Sequence, residues 1–153
     1  ALGLVLSMQP GEALRDTDGI EARLGTRRVR RAHAWRTIHQ AGVTLTLGSG
    51  RSDLAPPQTT LVQTMQAATT RTPLDGTIPR SGWYPREALD RDTALRAMTT
   101  HGAHAAFQEN ALGTLGVGQW ADFVVLSANP LETPDLGTVQ VIDSYVAGER
   151  VAR

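Results

Sequence analysis

Val43-Thr44-Leu45-Thr46-Leu47-Gly48-Ser49-Gly50 reads as a β-branched strand that ends in a glycine turn, and what precedes it decides how that strand is paired. Ala1-Leu2-Gly3-Leu4-Val5-Leu6 is apolar on both faces and about as long, and it reads as a buried strand that leaves its sheet at Pro10. Between the two, residues 12–24 are weakly helical and closed by Gly25. Residues 26–41 form a stronger helix, with Val29, Ala32, Ala34, Trp35, Ile38 and Ala41 at helical spacing and Gly42 as its stop. Its Arg27, Arg28, Arg30 and Arg31 make a solvated face. Strand, helix, helix, strand is a βαβ-type crossover, so the two strands are expected to run parallel.

The loop at residues 49–60, small, polar and proline-bearing, follows the second strand at its carboxyl end, where α/β folds place their chemistry. Asp53 is its acid. There a carboxylate can hold a divalent metal and take a proton from metal-bound water; it can equally be a turn residue that hydrogen-bonds its own backbone before Leu54-Ala55-Pro56-Pro57. Downstream, residues 61–70 read as a short helix and residues 72–85 as a long loop, in which Trp83 and Tyr84 suit packing anchors. Asp90 is placed to cap a helix over residues 91–107. After Asn110 the chain turns to β: residues 121–126 form a strand, and residues 138–151 form two short strands hinged at Ala147-Gly148-Glu149.

Fifteen Arg balance fifteen Asp and Glu, which leaves no basic field for nucleic acid or anionic lipid. Lys is absent, excluding a Schiff-base or phosphate-loop lysine within this chain, and the lack of Cys excludes thiolate metal sites and disulfides. The longest apolar runs fall far below the ~20 residues needed to cross a bilayer, and no basic stretch leads into the opening run, so neither a membrane span nor a targeting segment is expected. The expected location is cytoplasmic.

Other candidates read more simply as structure. His101 and His104 share a helix face, but zinc needs three or four ligands and no matching acid or imidazole is spaced to join them. His33 and His39 are six apart and look in different directions. Gly113-x-x-Gly116-x-Gly118 precedes a strand, not a helix, and lacks the dipole of a phosphate loop. Ser49 stands outside the Gly-x-Ser-x-Gly elbow of hydrolases and reads as a turn residue.

Three stretches resemble a known family. Gly113-Thr-Leu115-Gly-Val-Gly118-Gln-Trp-Ala121-Asp122-Phe-Val-Val-Leu126 is similar to a G-x-L-x-x-G-x-x-A-D-[FL]-V-V-L signature near the carboxyl end of metal-dependent amidohydrolases, and residues 94–103 resemble the A-L-x-x-x-T-x-x-x-A helix before it. Arg23-Leu-Gly25, Trp35-Arg36 and residues 41–49 resemble the amidohydrolase family 3 branch, where an A-G-V strand leads to G-S-D; residues 141–151 resemble the family's closing hairpin. The resemblance covers nearly the whole chain but only the carboxyl-terminal part of the family.

It implies a mixed α/β fold with two parts: residues 1–110 as the last strands and helices of a (β/α)8 TIM barrel, and residues 111–153 as the carboxyl-terminal half of a small β-sandwich. A whole barrel takes at least ~200 residues. The resemblance also implies hydrolysis of a non-peptide C–N bond in a small amide, formamide or cyclic amide, with a divalent metal, zinc by expectation, held mainly by imidazoles that this chain does not encode. The family's Asp would follow Gly48-Ser49 directly, yet position 50 is Gly. If Gly50-Arg51-Ser52 is an insertion, Asp53 becomes the metal ligand and the catalytic base that moves a proton from water to the departing nitrogen, and its spacing to Arg71 supports this. Without the insertion the ligand is lost. Asp122, at the opening of a sandwich strand, is expected to steady a turn. The chain alone is expected to be inactive and to dock on a partner chain or oligomer that completes the barrel. The alternatives are a noncatalytic remnant or subunit, and an independently folded α/β binding module.

Overall fold

Two strands, β1 (Val5–Met8) and β2 (Thr44–Leu47), lie side by side and parallel, with Val5 opposite Thr44 and Met8 opposite Leu47. The computed structural model describes residues 3–15, 17–50, 60–73 and 81–151. Parallel neighbours require a long crossover, and here it consists of α1 (Pro10–Arg15), α2 (Thr17–Val29) and α3 (Trp35–Gln40). Pro10 opens α1, where its missing N–H has no helical partner to lose.

The helix expected over residues 26–41 is divided. Gly25 (φ 73°, ψ 159°) kinks α2, and residues 30–33 form a turn that ends at His33 with φ 51°. Packing explains the break: Val29 and Trp35 are both fully buried, yet six residues along one continuous helix they would point about 120° apart. The helix expected over residues 91–107 divides for the same reason. It becomes α5 (Arg91–Met98) and α6 (Thr100–Ala105), parted at Thr99, so that Ala97 and Ala103 both face inward. Between the crossover and this pair, α4 (Leu61–Thr70) occupies the span expected of it, opened by a capping box in which Thr60 accepts from the Gln63 N–H and Gln63 from the Thr60 N–H.

The core lies between β2 and the helices. α5 and α6 pack on β2, and α4 packs on α1 and α5, with Leu45, Ala67, Ala68, Ala94 and Ala97 fully buried where the elements meet. Small residues at these positions allow close approach.

The carboxyl-terminal part is an antiparallel sheet, β3 (Phe123–Leu126), β4 (Val141–Val146) and β5 (Glu149–Val151), in the order β3-β4-β5. A single turn of 3-10 helix at Leu136–Thr138 packs against α4, and Leu136 and Val139 are buried there. The register sets Val124 and Val151 on either side of Ser144, on the face that also carries Ile142 and Val146. All four apolar side chains are exposed, so this sheet face has no cover among the described residues.

Candidate functional site

The parallel pair ends level. Gly48 N–H donates to the Met8 carbonyl at 3.0 Å, and beyond it Gln9, Glu12 and residues 48–50 come together. Gly50 has φ 73°, and a Cβ placed on it would stand 3.0 Å from Glu12 Cγ, 3.3 Å from Glu12 Oε1 and 3.5 Å from Gln9 Cγ. Beside this junction a cleft of about 260 Å³ is lined by Met8, Gln9, Glu12, Ala13, Ile20 and His33. Three polar side chains thus share a hollow with three apolar ones at the end of the strands where α/β proteins bind ligands. Glu12 Oε1 accepts from Arg15 Nη1 at 2.5 Å, which compensates its charge.

His33 is held in an uncommon conformation from behind. Its backbone is left-handed, a geometry that costs a non-glycine residue roughly 1 kcal/mol or more, and its carbonyl accepts from Arg71 Nη1 at 2.9 Å. Its ring stands between Trp35 and Trp83, with centroids at 6.3 and 6.1 Å. Arg71 is fully buried at the carboxyl end of α4. Its guanidinium lies 4.3 Å from the Trp35 ring centroid and 5.0 Å from that of Trp83, and Nε donates to the Trp83 carbonyl at 2.6 Å. Burial lowers its pKa to about 10, against the upward pull of Glu87. Arg71 Nη2 and Trp35 Nε1 are buried without a hydrogen-bond partner among the described residues. The Glu87 carboxylate itself accepts from Thr37 N–H and Oγ–H at 3.0 and 2.6 Å, in the first turn of α3.

Trp83 is the packing anchor expected of it: it is buried, meets Tyr84 edge-on at 5.0 Å, and donates its indole N–H to Glu21 at 2.8 Å. Gly82 (φ 76°) permits that approach, since a Cβ there would lie 2.3 Å from the Thr70 carbonyl oxygen.

Asp53, the expected catalytic and metal-binding acid, lies outside the described residues. His101 and His104 do not converge. His101 Nδ1–H donates to the Leu45 carbonyl at 2.9 Å and ties α6 to β2, whereas His104 faces Glu109 at 3.5 Å on the surface. Gly113 (φ 94°) is a close-packing residue, its absent Cβ 2.9 Å from Ala103 Cβ. Asp122 steadies a turn: its carboxylate accepts from Ala147 N–H at 2.7 Å across the β4–β5 hairpin. Among the described residues no three His, Asp or Glu side chains gather as a metal would require, so these residues by themselves do not fit a resident divalent ion. No described helix is long and apolar enough to cross a membrane.

Sequence reasoning missed Glu12 and Arg71 as site-building residues. Arg71 carried a signal, being a cation at a helix end ahead of two adjacent aromatics. Glu12 carried none, because only the fold brings it to Gly50.

The sequence model of the amidohydrolase family matches residues 1–152. Among curated proteins, Protein LONG AFTER FAR-RED 3 of Arabidopsis thaliana is 31% identical over 157 residues, which cover 98% of this chain and 25% of that protein. The N-substituted formamide deformylase of Arthrobacter pascens is 36% identical over 66 residues, which cover 42% of this chain and 12% of that protein. The chain therefore spans a quarter or less of the length of these relatives. Among solved structures, a prolidase complexed with N-methylphosphonate-L-proline superposes with a TM-score of 0.60 at 23% identity, over 99% of this chain and 35% of that one, a likeness of fold. With the family match running almost end to end and the backbone following that fold, the chain belongs to the amidohydrolase family, in its family 3 branch.

Proposed function

We propose that this chain is the carboxyl-terminal portion of a metal-dependent enzyme that hydrolyses a non-peptide C–N bond in a small amide, formamide or cyclic amide. Residues 1–110 supply the last strands and helices of a (β/α)8 barrel, and residues 111–153 supply the carboxyl-terminal half of a small β-sandwich. The observation that carries this reading is the level ending of β1 and β2, which opens a cleft at their carboxyl ends within a chain of this family. The name of the Arthrobacter relative supports a formamide-like substrate. The uncovered valine-rich face of β3-β4-β5 supports a sandwich completed by another segment.

On this reading the divalent metal, zinc by expectation, is held by imidazoles from a segment or partner chain that completes the barrel, with Asp53 as the ligand and base contributed here. The test is the reading frame upstream of residue 1. An in-frame segment with a His-x-His strand, whose joined product releases formate from small N-substituted formamides, would bear the proposal out. A joined product that leaves such amides intact would contradict it.

A further inference from the structure

We propose that Arg71 and Trp35 hold one small inorganic anion, of chloride's size, in the interior between the Arg71 Nη2 group and the Trp35 indole N–H. Neither residue lines the cleft beside Glu12, so the inference stands apart from the hydrolytic reading.

A buried cation needs a counter-charge. Arg71 and Trp35 are both fully buried. Burial lowers the Arg71 pKa only to about 10, so the guanidinium keeps its charge at neutral pH. Taking such a group out of water is costly unless an opposite charge meets it. The carbonyls of Trp83 and His33, which accept from Nε at 2.6 Å and Nη1 at 2.9 Å, offer partial negative charge but no full one. Two carboxylates in this part of the fold are committed elsewhere. Glu87 accepts from Thr37 N–H and Oγ–H at 3.0 and 2.6 Å, and Glu21 accepts from the Trp83 indole N–H at 2.8 Å. Among the described residues no carboxylate forms an ion pair with Arg71.

The same neighbourhood leaves two donors over. Arg71 Nη2 and Trp35 Nε1 are buried with no acceptor among the described residues, whereas buried donors are nearly always satisfied. Arg71 Cζ stands 4.3 Å from the Trp35 ring centroid, so the two nitrogens belong to one small region. Ring electrostatics suit an anion there. Trp35 turns its negative face to the guanidinium and keeps its positive edge, which carries Nε1–H, for an acceptor. An anion accepts a charge-assisted bond from Nη2 and a second bond from the indole. A water accepts both bonds but leaves the charge unmatched. Burial sets the size: with both side chains sealed from solvent, the guest sheds its water and fits among packed rings, as a halide does more readily than a phosphate or an organic acid.

The test is thermal melting of the 153-residue chain at constant ionic strength, with sodium gluconate exchanged stepwise for sodium chloride; gluconate is too large for a sealed site. A saturable rise in Tm of about 5 °C is expected as chloride replaces gluconate. Trp35→Phe keeps a ring over Arg71 and removes the N–H, and it should raise the chloride concentration at half-effect about tenfold. Arg71→Met, which keeps an apolar stem, should abolish the dependence. If Arg71→Met does not fold, Trp35→Phe carries the comparison, and bromide-soaked crystals give a direct view through an anomalous peak within hydrogen-bonding distance of both nitrogens. Equal melts in the two salts, a linear rise without saturation, an unchanged half-effect in Trp35→Phe, or bromide-soaked crystals without that peak would each overturn the assignment. None of these readouts involves turnover, so their failure leaves the hydrolytic reading as it stands.

Discussion

Arg71 shows how one side chain can organise a site it does not enter. Its planar guanidinium fits between two indole rings and bonds two carbonyls, that of Trp83 and that of His33, which also accepts from Trp35 N–H. Removing it leaves the Trp83 carbonyl short of a donor among the described residues, and a void between the rings. Arg71→Ala is expected to cost about 3–5 kcal/mol, which lowers Tm by roughly 10 °C for a chain of this length and is readable by thermal melting. Arg71→Lys should recover less than half, because an ammonium does not stack or fork in the same way. Sequence showed Arg71 only as a spacing marker from Asp53, since its burial depends on Trp35 and Trp83, far apart in the chain. Of the residues that sequence did make legible, Asp90 acts locally as a cap, whereas Asp122 and Trp83 fill their expected turn and anchor roles through Ala147 and Glu21, far along the chain.

Helix ends carry the element-scale predictions. Asp90 accepts from Thr93 N–H at 2.8 Å, and that bond holds its carboxyl below the ordinary 3.8. Asp90→Ala should destabilise the chain by about 1 kcal/mol at neutral pH. Because the folded pKa is depressed, the stabilisation is complete above the unfolded value and disappears as pH falls through the folded one. Melting curves of wild type and Asp90→Ala should therefore converge as the pH drops below about 3.8. Both strands of the parallel pair and the α4 span were readable from apolar runs and turn residues. The two long helices were not divided in sequence, because periodicity cannot register that Val29 and Trp35, or Ala97 and Ala103, must face one core from different directions.

At the scale of the molecule, the described residues bury a core around β2 and leave one face of β3-β4-β5 uncovered. Val146→Lys, on that face and 52% exposed, should raise solubility while moving Tm by no more than about 1–2 °C, checked by light scattering beside a melt. The site is divided in the same way: Gln9, Glu12, His33 and the end of β2 are present, and no described trio of ligands joins them. The claim that this chain holds one edge of a catalytic centre is tested most directly by measuring zinc content and formate release from N-benzylformamide on the purified 153-residue chain. Well under one zinc per chain with no turnover is the expected result, and one tightly held zinc per chain with steady turnover would contradict it.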